Sequence, residues 1–283
     1  MSAAERRFLI DGVASEIRND GRASGTFRRV VLETGVLEQT SGSARVRVGA
    51  SDVTVGVKLQ VTVPHADAPN VGLVECGVEC APLVAADAAS TADLAQSLHR
   101  AWAHGRCLDL AQLCIAPGKL CWCVYVDAVV HSGDGNLLDV LSIAARAALH
   151  NTRVPAVRAV PASSGDAGLD AVELEVDSDV AAGAPLNLAR VPVCVTLTRI
   201  GKYFVVDATR EEQLCSSGSL TVAINSHGRT TALEKRGSAS IDPGTVFSML
   251  HTARTVGMQL LAAVDQQLAQ GSQVRGDARG WMN

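Results

Sequence analysis

The sequence predicts an α+β protein with two lobes. Residues 27–64 and 191–235 contain short runs in which apolar and polar side chains alternate, the period of half-buried β-strands. Each set of runs is followed by a segment whose apolar residues repeat every three or four positions, which indicates a helix. Because strands come before helices twice, the order favours two α+β lobes over an alternating, doubly wound sheet.

The best-defined unit is residues 121–155, which predict a strand, a turn and a buried helix. Residues 122–130 are mostly β-branched, aromatic or small, which is typical of a strand covered on both faces. A glycine turn ends at Gly135, and the helix after it ends before the Val154-Pro155 pair, since a residue preceding proline is pushed out of the helical region. The apolar ridge of this helix comprises Leu137, Val140, Leu141, Ala144, Ala147 and Ala148.

The turn before this helix is a candidate anion site. The free N–H groups at a helix N-terminus commonly hold phosphate, helped by the helix dipole. Here, however, the glycine is followed by Asn136, Leu137 and Leu138, which offer neither a positive charge nor a hydroxyl group. The side chains therefore favour a structural turn over a phosphate site.

Composition limits the classes of partner. A chain of 283 residues with 47% hydrophobic residues can bury the core of one large domain or two lobes. The net charge of -4 gives no overall positive field, so any RNA site would be a local patch. No apolar run reaches membrane-spanning length and the first residues lack the apolar core of a secretion signal, so we expect a soluble, intracellular protein that does not contact a membrane.

The cysteines indicate free thiols. None of the eight belongs to a CxxC pair, and those on predicted strands alternate with apolar residues, so a zinc site is not expected. Buried, unpaired thiols suit a reducing compartment, cytosol or nucleus. The positions are Cys76, Cys80, Cys107, Cys114, Cys121, Cys123, Cys194 and Cys215.

Further elements follow from local signals. Ser2 and Glu5 have capping-box spacing, which predicts a short N-terminal helix ending near Gly12, and the polar residues 16–22 favour a solvated loop. A helix is expected over residues 92–104.

The predicted organisation is a first lobe over residues 1–160, a connecting segment over 161–190, a second lobe over 191–268 that ends in a long helix, and a flexible tail over 269–283.

Several stretches together resemble the RNase PH-like family, and within it the ring subunits of the RNA exosome. They are Asp20-Gly-Arg22, residues 41–49, residues 109–115, residues 122–127, Asp134-Gly-Asn-Leu-Leu-Asp139, Asn151-Thr-Arg-Val-Pro155 and Val205-Val-Asp-Ala-Thr209. Their order and spacing span nearly the whole chain. The resemblance implies the RNase PH-like fold, in which a lobe like domain 2 of ribosomal protein S5 is joined to a second α+β lobe.

The resemblance also implies partners and a reaction. Members assemble into a six-membered ring with other RNase PH-like subunits and RNA-binding cap subunits, and RNA passes through the channel. Active members use inorganic phosphate to attack the last phosphodiester at the 3' end, which needs an anion cradle and an acid or metal-binding carboxylate. No cofactor is implied. The expected locations are the nucleus, the nucleolus and the cytoplasm.

The resemblance implies that both catalytic requirements are lost here. Active relatives have Ser or Thr and then commonly Arg where this chain has Leu137 and Leu138. They have two aspartates where an ungapped comparison places Gln213 and Ser219. We therefore predict a non-catalytic ring subunit. The alternative is an active phosphorolytic 3'-to-5' exoribonuclease that recruits Glu211, Glu212 and either Arg199 or Arg210.

Three basic residues are candidates for RNA binding. The alternating runs at residues 27–64 predict a β-meander. In the resembled family the helix after this meander carries basic residues that face the channel, and Arg100 matches one such position. The next basic position is Ala103, which weakens the predicted grip of this helix. Arg106 and Lys119 are further candidates, and cations that contact only phosphates would bind RNA without sequence preference.

Overall fold

The computed structural model describes residues 1–82, 84, 88–102, 107–161, 172–176 and 183–279. The first elements are α1 (Ala3–Ala14), β1 (Val30–Thr34), β2 (Gly42–Val48), β3 (Ser51–Thr62), β4 (Leu73–Cys80), α2 (Ala88–Trp102), a 3-10 helix (Leu110–Leu113), β5 (Cys114–Ala116), β6 (Leu120–Ser132) and α3 (Leu137–Asn151). The remaining elements are β7 (Arg153–Val154), β8 (Val157–Pro161), β9 (Val172–Val176), β10 (Ala184–Pro185), β11 (Val193–Ile200), β12 (Tyr203–Val206), α4 (Arg210–Leu214), β13 (Gly218–Ile224), β14 (Thr230–Arg236) and α5 (Pro243–Arg279).

The strands form two main sheets, one in each lobe. The first sheet has the order β1-β2-β3-β6-β4, and β5 also pairs with β6. Its strands are antiparallel except for β4, which runs parallel to β6. The second sheet is antiparallel with the order β12-β11-β13-β14. Two small pairs, β8 with β9 and β7 with β10, lie in the chain between the lobes.

Strand β6 is covered on both faces only at its beginning, which corrects the prediction for residues 122–130. Residues 121–124 are buried, but farther along Asp127 and Val129 are exposed while Ala128 and Val130 are buried. This alternation is normal where one face of a sheet packs on the core and the other meets water.

Helix α3 lies between the two sheets. It contacts β2 and β3 in the first sheet and β11 in the second, and every residue from Leu138 to Leu149 is buried. Its alanines permit close packing, and at its end a Cβ on Gly42 would collide with Thr152. The central unit of the sequence is therefore also the layer that joins the lobes.

The two lobes share one hydrophobic core. A single cluster of buried side chains combines residues of the first sheet and α3 with Val193 of β11 and with Leu261 and Val264 of α5. A smaller cluster between the second sheet and α5 contains Val195, Leu197 and Met249. Because burial is continuous across the lobes, we expect them to unfold together, although the domain boundaries themselves stay a prediction.

The ends of two helices differ from the sequence prediction. Helix α1 has the predicted capping box between Ser2 and Glu5 but continues past Gly12 to Ala14. Helix α5 continues to Arg279, through most of the segment predicted to be a flexible tail. Among the residues of α5 whose burial is described, which end at residue 270, the last buried one is Leu268.

All eight cysteines are free in the structure. Within the described ranges, no group of three or more His, Cys, Asp or Glu side chains is arranged to hold a metal ion. No helix in that part of the chain is both long and apolar enough to cross a membrane.

Candidate functional site at the lobe interface

A cavity of about 270 Å³ lies where α2 and α3 of the first lobe meet α4 and the sheet of the second. We call it the interface cavity. It is lined by Val84, Asp93, Leu94, Gly133, Gly135, Asn136, Leu137, Leu138, Thr196, Arg210, Gln213, Ser219, Thr221 and Arg236. Apart from Asp93 and Asn136, the wall from the first lobe is apolar, and the wall from the second carries hydroxyl, amide and guanidinium groups.

The glycine turn and the start of α3 form the apolar wall. Gly135 has a φ of 76° and Asn136 a φ of 53°, both in the left-handed region. A Cβ on Gly135 would lie 2.6 Å from the carbonyl oxygen of Ala208, so glycine permits the close approach of the second lobe here. Leu138 is 7% exposed and belongs to the shared core, whereas Leu137 is partly exposed.

Helix α4 and strand β13 supply the polar wall. Gln213 is exposed on α4, and Ser219 is partly exposed near the start of β13. Helix α4 is not among the elements predicted from the sequence, although the capping box that Thr209 and Glu212 form at its start is a recognisable signal. This short helix holds Gln213 at the cavity.

The structure brings together the four positions that the resemblance assigns to the former phosphate and acid sites. Leu137 and Leu138 are more than 70 residues away in sequence from Gln213 and Ser219, yet all four line the interface cavity. Two leucines, an amide and a hydroxyl group therefore meet at one place. Their interpretation as lost catalytic positions stays a prediction.

A buried ionic cluster joins the lobes next to this cavity. We call Arg22, Arg28, Asn136 and Asp207 the Asp207 cluster. Asp207 is fully buried and accepts hydrogen bonds of 2.8 Å from the backbone N, Nε and Nη2 of Arg28. Arg22 Nη1 donates to Asp207 at 3.0 Å, and Asn136 Nδ2 donates to it at 2.9 Å.

The electrostatics of Asp207 follow from these contacts. Burial by itself would raise the pKa of Asp207, but the hydrogen bonds and the charge of Arg28, with the hydrogen bond from Asn136, lower this pKa below its ordinary value. Asp207 is therefore an ionised structural group, held by arginines of the segment before β1.

The segment at residues 16–22 is largely exposed, but Arg18 is buried and Arg22 is half-buried, which corrects the prediction of a solvated loop for these two arginines. Arg18 is 3% exposed and makes a bidentate pair with Glu212, at 2.8 Å and 2.6 Å. Its guanidinium also donates to the backbone carbonyls of Val206 and Asp207. The charged side chains of such a motif can pair with groups in another lobe. The local sequence does not show which distant residues these partners are.

The same contacts define the environment of the alternative catalytic groups. Glu212 is 2% exposed and is occupied by Arg18 and by the α4 capping box. Glu211 is exposed and lines a separate groove with Phe8 and Leu214. Neither glutamate lines the interface cavity.

The two arginines of the alternative catalytic set, Arg199 and Arg210, differ in whether they line the interface cavity. Arg199 donates to the backbone carbonyls of Gly201 and Ser240 and does not line the interface cavity. Arg210 does line it and is exposed. Arg236, which sequence reasoning did not single out, also lines the cavity but is tied to Glu234 and Ser97.

A second buried carboxyl group lies beneath the cavity. Asp139 is fully buried and accepts hydrogen bonds from Asn136, from the backbone N of Thr196 and from the Thr196 hydroxyl at 2.7–2.8 Å. The Thr196 hydroxyl also contacts that of Thr221, 2.9 Å away at the cavity wall. Burial raises the pKa of Asp139 to about 7, although the hydrogen bonds from Thr196 and Asn136 oppose this rise.

The RNA-binding candidates lie outside the interface cavity. Arg100 is exposed on α2, and its guanidinium is 3.9 Å from the carboxylate of Glu234. Lys119 is exposed on the turn between β5 and β6. Arg106 lies outside the described residues. Neither Arg100 nor Lys119 lines the cavity. If these two residues contact RNA, the contact lies on another surface of the protein.

Two family models match the chain in the two regions just described. The model described as 3' exoribonuclease family, domain 1, matches residues 26–155, and the model for domain 2 matches residues 190–256. The chain belongs to the 3' exoribonuclease family. The gap between the two matched regions, residues 156–189, overlaps the connecting segment predicted at 161–190.

Relatives and solved structures agree with this membership. The chain is 31% identical to the putative exosome complex exonuclease RRP42 of Dictyostelium discoideum, over 95% of this chain and 98% of the relative. It is 32% identical to the exosome complex component Rrp42 of Pyrococcus furiosus, over 88% of each. An archaeal exosome core matches with a TM-score of 0.75 and 29% identity, covering 93% of this chain and 96% of that one.

A further solved structure is the Archaeoglobus fulgidus exosome with RNA bound to the active site. It matches with a TM-score of 0.76 and 30% identity, covering 92% of this chain and 97% of that chain. The predicted RNase PH-like, two-lobed α+β fold is therefore confirmed.

Proposed function

We propose that this protein is a non-catalytic RNase PH-like subunit in the hexameric ring of an RNA exosome. In that role it supports 3'-to-5' RNA processing and degradation by building the ring and guiding RNA through the channel. Its partners are other RNase PH-like ring subunits, RNA-binding cap subunits and the RNA itself. The naming of its relatives as exosome components and the likeness to exosome cores support this proposal.

The observation that carries the non-catalytic part is the apolar wall of the interface cavity. Phosphate bound at the start of α3 would face Leu137 and Leu138, which line the cavity there. Isobutyl groups remove water from an anion and return no hydrogen bond or charge, an unfavourable exchange of several kcal/mol. The exposed guanidinium of Arg210 lines the same cavity, but the two leucines at the helix start offer a dianion no ligand.

The polar wall supports the same proposal. Gln213 and Ser219 carry no ionisable group that could protonate a leaving oxygen or hold a metal ion near neutral pH. The glutamates that could substitute for a lost acid are placed elsewhere, since Glu212 is paired with Arg18 and Glu211 lines the groove beside α1. Catalytic geometry tolerates displacements of only a fraction of an ångström.

An activity assay tests this part. We would incubate the purified protein with a 3'-labelled RNA, inorganic phosphate and Mg²⁺, and measure release of nucleoside diphosphates. We expect none above a blank without protein. Steady release that Glu211→Gln abolishes would overturn the proposal in favour of an active phosphorolytic exoribonuclease.

Assembly provides an independent test. Co-expression with related ring subunits, followed by measurement of particle mass, should give a hexameric complex that contains this chain. A protein that stays a stable monomer in the presence of those subunits would contradict the ring role, whatever its activity.

RNA guidance is testable in the assembled ring. We expect Arg100→Ala and Lys119→Ala to weaken RNA binding equally for all sequences, and each lost phosphate contact to reduce the salt slope by about one. Arg7→Ala is a suitable control because Arg7 is an exposed helix residue paired only weakly with Asp11, at 3.8 Å. If the RNA affinity and its salt dependence are unchanged in both variants, Arg100 and Lys119 do not contact the RNA.

The proposed ring subunit would work in the nucleus, the nucleolus and the cytoplasm. Imaging of the tagged protein at its natural level would test each compartment separately.

A further inference from the structure

One cysteine pair stands directly opposite across a β-hairpin. In the pairing of β5 with β6, Cys114 and Cys121 are Cα partners. The remaining cysteines in the described strand pairings stand opposite residues of other types; Cys123, for example, is opposite Gln60 and Leu73. Directly opposed residues point their side chains to the same face of a sheet.

The geometry of this pair suits a disulfide. Opposed residues in antiparallel strands have Cα atoms about 4.5–5.5 Å apart. A disulfide usually spans Cα distances of about 4.4–6.8 Å, and the range for opposed residues lies within it. A register shift accompanies this pair, between Cys114 and Ala116, and short, irregular hairpins can adjust to the bond more easily than the middle of a sheet.

The two thiols differ in access. Cys114 is partly exposed and lines a cavity of about 370 Å³ with Gln112 and Trp122. Cys121 has no exposed surface, and burial, followed by the nearby thiol of Cys114, raises its pKa. An oxidant from solvent therefore reaches Cys114 first, and Cys121 is placed behind it.

We propose that Cys114 and Cys121 are a peroxide-responsive pair that forms an intramolecular disulfide. The thiolate of Cys114 attacks one peroxide oxygen, the O–O bond breaks, and a sulfenic acid and one water form. The Cys121 sulfur then attacks the Cys114 sulfur, the S–O bond breaks, the S–S bond forms, and a second water leaves. Two thiols lose two electrons and two protons in total, and the peroxide gains both.

The disulfide would enclose the turn that carries Lys119. Residues 115–120 lie between the two cysteines, and Gly118 at φ 72° makes the turn possible. The crosslink would hold this hairpin closed while leaving the rest of the first sheet unchanged. A dithiol reductant would restore both thiols.

Peptide mapping of the full-length protein tests the proposal. After treatment with hydrogen peroxide and alkylation of free thiols, cleavage at Lys119 separates the two cysteines, so the disulfide appears as two peptides joined until reduction. We expect Cys114→Ser and Cys121→Ser to abolish the linked species. Cys107→Ser and Cys123→Ser are matched controls, because those cysteines lie on the same two peptides and the link should persist.

The outcomes are distinct. A linked peptide that survives in both controls and is lost in both test variants supports the pair. A link that disappears with Cys107→Ser or Cys123→Ser, a link between two chains, or oxidation of Cys114 to its sulfinic acid without a link would overturn it. Unfolding curves of the reduced variants verify that each is folded before treatment.

Discussion

The interface cavity and the Asp207 cluster lie side by side between the same lobes, but they differ in charge. Neutral side chains occupy the cavity positions where the resembled family has phosphate-binding or acidic groups, whereas the cluster buries a paired carboxylate. At the cavity, the resemblance expects anion ligands and acids, and the chain has Leu137, Leu138, Gln213 and Ser219. In the cluster, Asp207 is fully buried and ionised beside Arg28 and Arg22. A buried charge persists where the folded chain supplies its partner. The cavity holds neutral groups at the corresponding positions.

The largest expected effect is loss of the cluster's carboxylate. Asp207→Ala would leave the buried guanidinium of Arg28 without its main partner, and breaking such a pair costs about 3–5 kcal/mol of unfolding free energy. The control is Arg47→Ala, whose pair with Glu33 is half exposed and should contribute less than about 1 kcal/mol. Urea unfolding measures both. Similar losses of unfolding free energy in the two variants would show that burial does not make the Asp207 pair more important for stability than the Arg47 pair.

The two leucines of the apolar wall should contribute unequally to the unfolding free energy. Leu138→Ala removes a side chain that is 7% exposed and packed in the shared core, which should cost about 2–5 kcal/mol. Leu137→Ala, at a partly exposed position, should cost about 1 kcal/mol. Thermal and urea unfolding of the two variants provide the comparison. Equal costs would contradict the separation of core and cavity roles at this helix start.

Asp139 predicts a pH dependence of stability. Its pKa rises from 3.8 to about 7 in the fold, so between these values the folded chain holds a proton that the unfolded chain has lost. Its contribution to the unfolding free energy must therefore fall as pH rises through this window, by at most about 1.4 kcal/mol per pH unit. Asp207, whose pKa is lowered, contributes stability that is lost only as pH falls below its ordinary range.

The variant Asp139→Asn isolates this effect because the amide resembles the protonated acid. We expect the stability difference between the natural protein and the variant to move in favour of the variant as pH rises from about 5 to about 7. Urea unfolding at several pH values measures it. A shift in favour of the natural protein would mean that the three hydrogen bonds to Asp139 keep it ionised.

The smallest expected effect is at the surface of α2. Arg100→Ala removes a 3.9 Å contact with Glu234 from a side chain that is 57% exposed. Water screens such pairs, so the unfolding free energy should change by less than about 1 kcal/mol. Arg146→Ala is the buried counterpart, because Arg146 binds Asp265 and the carbonyls of Leu188 and Val191. A large loss for Arg100→Ala would indicate a structural role that its exposure does not suggest.

Local sequence signals determined much of the fold. The alternating runs identified the meander and the second strand series, because a period of two is a property of neighbouring residues. The capping box at Ser2 and the glycine turn before α3 were recognisable for the same reason. The resemblance also supplied Leu137, Leu138, Gln213 and Ser219 as positions of interest before any contact was known.

Only the tertiary structure showed which of these residues meet. Arg18 and Arg28 have no local signal that separates them from surface arginines, since their partners Glu212 and Asp207 are more than 170 residues away in sequence. The burial of α3 on two sides likewise depends on a second sheet whose strands lie later in the sequence. Periodicity and capping act over a few residues, whereas burial and pairing depend on where distant segments come together in space.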